Sequence, residues 1–416
     1  MSEPRGPVYL SLPREVLAQS IEAVEYDSPS RHQCASAPYP DPAGIQQAAR
    51  MLAAAKRPLI ITSAIGRDAE AVGHLAALAE RYAIPVTQKW ARTMNLPADH
   101  PMHLGYEPGP FLEDADLILV LDSDVPWIPS YQAPRIDCPV IHMGVDPLFS
   151  RYPIRSYRCD LAVTGVLRGA LPALSHALAA FEAGMAADIA QRRERIGVLR
   201  KKQRDDWAAR IERAGRSDVI EPIWISHCLD QVRPDDVIIL KEGPMVMEPL
   251  SLTRPHTFFH DHAAGGLGWA LGAGLGAKLA QPDKLVVNVI GDGSYMFGCP
   301  VSAHSVGRQY GIPTLTLIVN NGMWGAVRQS TASVYPDGHA SRASMEPLVA
   351  LDGTPHLERV VEASEGHGER VESPGDLPAA LDRAIHAVTK EGRQAVLNII
   401  TQPPQSTFSG GQINKR

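Results

Sequence analysis

Continuous apolar runs, separated by helix-like stretches, constrain the fold of this chain more than any other feature. PLIITSAIG (58–66), DLILVLDSD (116–124), PVIHMGVD (139–146), DVIIL (236–240), KLVVNVIGDG (284–293), PTLTLIVNNG (313–322) and AVLNII (395–400) are apolar without alternation. A strand wet on one face alternates with period two; a run apolar at every position is buried on both faces. Between the runs lie Ala-rich amphipathic segments such as AGIQQAARMLAAAK (43–56) and Ala69–Tyr82. Strands alternating with helices predict parallel sheets covered on both sides. The expected fold is α/β: two doubly wound parallel-sheet domains, a central Rossmann-like one and a second one, joined by a helical linker.

The punctuation of the chain divides it further. GPVYLSL (6–12), closed by Pro13, reads as a lone strand at the end of residues 1–19. Residues 20–41, rich in Pro and small polar residues, read as a linker. The central domain covers 42–170, a helical linker 171–215, the second sheet domain 216–403 and a polar tail 404–416. In the linker Ile196, Leu199, Trp207 and Ile211 mark a buried stripe, and the surrounding basic cluster is its wet face. The tail is a mobile end or a lid, and nothing in its composition chooses between them.

Composition narrows the class of protein. The 40 basic and 46 acidic residues leave a formal charge of −6, which argues against a dedicated nucleic-acid binder. No apolar run reaches the roughly 18 residues of a membrane span, and MSEPRGPVYL has no signal-peptide profile. The cysteines (34, 138, 159, 228 and 299) have no zinc or CxxC spacing, so free thiols in a cytoplasmic protein are expected.

Chemistry concentrates at two strand ends, where parallel sheets collect ligands. Gly291 and Gly293 permit tight turns around Asp292, and Asn320 and Asn321 follow 28 and 29 residues after that carboxylate. Each dipeptide alone is equally a plain turn. Together they offer a carboxylate, an amide oxygen and backbone groups, a set suited to Mg2+ sharing its shell with phosphate oxygens. His260 and His262, in FFHDHAAGGLG, are candidate proton donors or carboxylate contacts, or a structural pair.

GDGS, the NNG that opens NNGMWGAVRQ, and AAGGLGWALGAGLGAKLAQPDKLVVNVIGDGS upstream resemble the signature of the thiamine-diphosphate enzymes of the pyruvate oxidase/decarboxylase superfamily. The superfamily includes acetolactate synthase, benzoylformate decarboxylase and benzaldehyde lyase. The resemblance is strong over 215–403 and looser over 40–170. It implies thiamine diphosphate and Mg2+ as cofactors. Asp292 and Asn321 would be side-chain ligands of the metal and Met323 a backbone-carbonyl ligand. Gly293 and Ser294 would bind the diphosphate. Leu267 would be the wedge that bends the cofactor, with the backbone of Gly265 and Leu267 on the aminopyrimidine edge. Lys241-Glu242-Gly243 lies where the family touches the diphosphate, but Pro244 has no N–H to offer there. No counterpart of the family's flavin contacts stands in Thr87–Gly109, so FAD is not expected.

The family's activating glutamate belongs to an amino-terminal pyrimidine-binding domain, and GPVYLSLPREV resembles only the last strand of that domain. The resemblance therefore implies a separate small chain carrying that domain, or a truncated product, together with homo-oligomerisation and a small-molecule carbonyl substrate. The expected activity is cleavage or formation of a C–C bond beside a carbonyl, by a 2-oxo acid decarboxylase or acyloin-type lyase. An acetolactate-synthase-like carboligase and a non-catalytic remnant are the alternatives.

Overall fold

The computed structural model describes residues 2–261, 265–343, 348–351 and 356–401. Among them the chain folds into two all-parallel sheets. The first comprises β1 (Pro58–Thr62), β2 (Val86–Gln88), β3 (Leu117–Leu121), β4 (Val140–Gly144) and β5 (Leu161–Thr164), in the order β2-β1-β3-β4-β5. Ile60 of β1 stands between Val86 of β2 and Leu119 of β3. Every residue of β1, β3 and β4 is buried, which is why their runs show no alternation.

Helices cover this sheet. Asp41 caps α1 (Pro42–Ala54) by accepting from the amides of Ala43 and Gly44, and Pro42 fits the first turn. Asp68 caps α2 (Ala69–Tyr82) in the same way. The expected helical linker appears as α3 (Leu167–Ala179) followed by the long α4 (Glu182–Gly215). Ile196 of α4 is buried in the first core, and Leu199 packs against it. Trp207 lies over Gly105, and Ile211 is half-buried.

The second sheet is built from β6 (Ile238–Lys241), β7 (Phe258–His260), β8 (Val286–Gly291), β9 (Leu315–Asn320), β10 (His367–Val371) and β11 (Ala395–Ile400). Its order, β10-β11-β9-β8-β6-β7, puts the reversal of winding between β6 and β8. Brändén's rule places a ligand crevice beyond the carboxyl ends of these two strands. One face carries α5 (Trp269–Ala280) over Leu240, Val286 and Ile290. The other face, with Ile239, Val287 and Val289, shares a core with Val72, Ala91 and Met94 of the first domain. That seam is reinforced by an antiparallel bridge between Thr93 and Phe259 and by the His260 amide donating to the Arg92 carbonyl.

Residues 6–12 run extended and exposed, with no sheet partner among the described residues. The tail 404–416 lies outside them. No helix among the described residues is long and apolar enough to cross a membrane.

Candidate active site

Asp292 follows β8 directly and opens a short helix, α6 (Asp292–Phe297). Its side chain is buried, and its Oδ1 accepts from the Gly293 amide at 2.9 Å. Its Oδ2 accepts from the Gly322 amide, also at 2.9 Å, so the fold joins two turns 30 residues apart in sequence. Burial raises the Asp292 pKa, against the amides of Gly293, Gly322 and Met323, which pull it down. Among the described residues this carboxylate is held by N–H dipoles and is short of positive charge. A cation beside it would favour the ionised form.

The two asparagines separate by role. Asn320, the last residue of β9, is buried; its Nδ2 donates to Asn398 Oδ1 at 3.0 Å and its Oδ1 accepts from the Gly322 amide at 3.0 Å. Asn321 is half-buried beyond the strand end, and its Oδ1 accepts from the Met323 amide at 3.1 Å. Asn321 and Met323 therefore occupy the turn whose Gly322 faces Asp292. Trp324 folds back over the other turn: a Cβ on residue 293 would lie 2.3 Å from its ring, so only glycine admits it there.

On the far side of the crevice, Glu242 follows β6 and reaches the start of α5. Its Oε1 accepts from the Gly268 amide at 2.6 Å and its Oε2 from the Ala270 amide at 2.7 Å. An acceptor at this helix end satisfies amides that have no intrahelical partner. Gly268 has φ +89°, and a Cβ there would stand 2.2 Å from Gly298 Cα. The start of α5 is thus pressed onto the end of α6. Leu267, one residue earlier, is 48% exposed, and Gly265 is exposed beside it. The sequence offers one signal for the cap, an acid at a strand end ahead of a Gly-rich helix start.

His260 ends β7, level with Lys241 of β6, two strands away from β8. Burial lowers its pKa to about 4, helped by the neighbouring Lys241 charge and opposed by the Ala91 carbonyl. The imidazole is therefore neutral at pH 7, with Nε2 3.3 Å from Lys241 Nζ. Burial also lowers the Lys241 pKa. His262, the second candidate of the pair, lies outside the described residues. Ser294 is half-buried in the first turn of α6, and its hydroxyl is the nearest neighbour of a Cβ placed on Gly291, at 4.0 Å.

Among the described residues no three His, Cys, Asp or Glu side chains converge as a metal site. One carboxylate with an amide oxygen and a backbone carbonyl nearby fits an ion that completes its octahedron with phosphate oxygens and water. The donor set and the cation-poor Asp292 thus fit a magnesium diphosphate. Two doubly wound domains, with such a carboxylate at the second sheet's switch point, define a class of α/β proteins built to hold a phosphorylated cofactor.

Residues 243–399 match the family model described as thiamine pyrophosphate enzyme, C-terminal TPP binding domain, and residues 45–174 match the central domain of the same enzymes. The chain belongs to the thiamine-diphosphate-dependent enzymes of the acetolactate synthase/benzoylformate decarboxylase superfamily, whose members bind thiamine diphosphate and Mg2+. It is 23% identical to a sulfoacetaldehyde acetyltransferase of Castellaniella defragrans, over 95% of this chain and 68% of that protein. It is 27% identical to a benzoylformate decarboxylase of Pseudomonas aeruginosa, over 78% of this chain and 59% of that protein. The crystal structure of benzoylformate decarboxylase from Polynucleobacter necessarius superimposes with a TM-score of 0.73 at 20% identity, covering 97% of this chain and 72% of that one. The chain thus spans 59–68% of the length of these two curated relatives.

Proposed function

We propose that this chain is the large subunit, or a fragment, of a thiamine-diphosphate- and Mg2+-dependent enzyme that cleaves or forms a C–C bond next to a carbonyl, acting as a 2-oxo acid decarboxylase or acyloin-type lyase. The observation that carries this reading is the approach of Asp292 to the Asn321–Met323 turn at the carboxyl ends of β8 and β9, beside the β6/β8 switch point. Asp292, the Asn321 side chain and the Met323 carbonyl would hold Mg2+, and Gly293 and Ser294 would contact the diphosphate. Leu267 would pack beneath the cofactor, with Gly265 beside it on the aminopyrimidine edge. Glu242 fixes the start of α5 and so the backbone that leads into it. When bound, the cofactor supplies a nucleophilic carbon and an electron sink. His260, held neutral, is suited to a hydrogen bond with a substrate rather than to holding a proton at neutral pH.

Two relatives divide between a decarboxylase and an acetyltransferase by name. Transfer to a second carbonyl, the carboligase reading, remains the alternative. Product analysis separates them: a lyase releases an aldehyde from a 2-oxo acid, and a carboligase joins two substrates.

The activating glutamate would come from a partnering pyrimidine-binding domain, on a separate small chain or on a longer form of this one, within an oligomer. Apolar side chains left open around the crevice support this, among them Leu267, Met296, Phe297 and Val301. Turnover of a 2-oxo acid by the purified 416-residue chain alone would contradict the need for that partner.

A further inference from the structure

A line of buried polar side chains runs from the Asn320–Met323 turn along one face of the second sheet to a carboxylate on the 3-10 turn packed against that face. Asn398, in β11, has no exposed surface, and Glu358 is buried in the 3-10 turn Leu357–Ser364. Asn398 Nδ2 donates to Glu358 Oε2 at 2.7 Å, and Asn398 Oδ1 accepts from Asn320 Nδ2 at 3.0 Å. Asn320 Oδ1 in turn accepts from the Gly322 amide, which also reaches Asp292. His356 Nδ1 lies 2.8 Å from Glu358 Oε1 and closes the outer end.

The chemistry of the chain's outer end dictates its direction. An ionised carboxylate only accepts, whereas each carboxamide has one accepting and one donating end. With Glu358 ionised, Asn398 must turn its NH2 outward and its oxygen toward Asn320. Asn320 must then turn its NH2 to Asn398 and its oxygen to Gly322. One charge thus sets the orientation of two amides and presents an acceptor to the turn. Burial works against the charge on Glu358, but hydrogen bonds from Asn398, its own amide and His356 hold its pKa below the usual carboxylate range. A buried polar network of this kind is stable only when every member is satisfied.

We propose that Glu358 is a positioning residue for the metal-bearing turn: acting through Asn398 and Asn320, it fixes Gly322 and so holds Asn321 and Met323 toward Asp292. The role in metal binding rests on the cofactor reading above; the hydrogen-bond relay itself does not. Glu358→Gln keeps the shape but introduces a donor, which lets Asn398 and Asn320 reverse and aim an NH2 at the Gly322 N–H. Asn398→Leu interrupts the same chain in its middle.

Two measurements on the full chain test this. Hydrogen–deuterium exchange with single-residue fragmentation reads the turn in the metal-free protein. Mn2+ titration in the presence of thiamine diphosphate, followed by the free-ion paramagnetic resonance signal, reads the metal site. In both variants the Gly322 and Met323 amides are expected to exchange roughly fivefold to tenfold faster, with Leu317 and Val319 of β9 unchanged, and Mn2+ affinity to fall by a similar factor. Unchanged exchange at Gly322, or acceleration spread evenly along β9, would overturn the relay. Local acceleration with unaltered Mn2+ affinity would overturn the positioning role. A wild-type chain that takes up no Mn2+ with thiamine diphosphate would count against the cofactor reading instead, and the exchange data alone would then decide the relay.

Discussion

At the scale of single residues, the site combines groups that sequence marks plainly with groups it hides. Asp292 stands out because GDG ends an apolar run and a second turn follows on the next strand. The division of labour between Asn320 and Asn321 is hidden. Adjacent asparagines look alike until β9 ends at Asn320, which bonds Asn398 of β11, and leaves Asn321 half-buried in the turn beyond. Glu358 and Asn398 are hidden more deeply, since they meet across 40 residues and no local pattern announces a buried pair. Replacing Asp292 by Ala should weaken Mg2+ binding by more than the roughly 10–100-fold cost of losing an outer-shell partner, measured by Mn2+ titration with the cofactor. His260 makes a pH prediction. Its folded pKa of about 4 lies below the 6.5 of an unfolded histidine, so as pH falls the unfolded chain takes up the proton first. The stability tied to the neutral ring is present above about pH 6.5 and is lost as pH falls toward 4. An NMR titration should find the His260 ring titrating near 4; a midpoint near 6.5 would show that the ring is not buried against Lys241.

At the scale of elements, strands with continuous apolar runs are legible, and of the four edge strands only β2, in IPVTQ (84–88), is. β1, β3, β4, β6, β8, β9 and β11 coincide with runs read directly from the sequence. β5, β7 and β10 escape that reading. All three lie at sheet edges, where LAVT, FFH and HGERV have only one neighbour and are short or part-polar. The seam between α5 and α6 depends on two features of its helix ends. Gly268→Ala forces a Cβ against the Gly298 backbone at positive φ and should cost about 2–4 kcal/mol, read from urea unfolding. Glu242→Ala removes two amide contacts at the start of α5 and should cost about 1–2 kcal/mol in the same assay. It should also weaken cofactor binding, because the backbone around Leu267 leads into that helix. A Glu242→Ala chain with wild-type stability would show that the cap is not what holds this end of the crevice.

At the scale of the whole molecule, the two sheets share a core through Ala91, Met94 and Ile239, which sets the crevice between β6 and β8 against the first domain. The apolar runs predict two sheets; the shared core was not legible, because Ala91 and Met94 sit in a loop with no periodicity. Leu267, Met296 and Phe297 leave apolar surface open, as the partner proposed above would require, and on that proposal turnover is expected only when the partner is present. In the proposed function, Asp292 and the Asn321–Met323 turn form a magnesium-dependent diphosphate site. Calorimetric titration of the full chain with thiamine diphosphate tests it, with Mg2+ or with a chelator, in the wild type and in Asp292→Ala. Saturable binding that requires Mg2+ and disappears in Asp292→Ala is the expected result. Binding that persists unchanged with the chelator, or in Asp292→Ala, would contradict a magnesium-dependent site at Asp292.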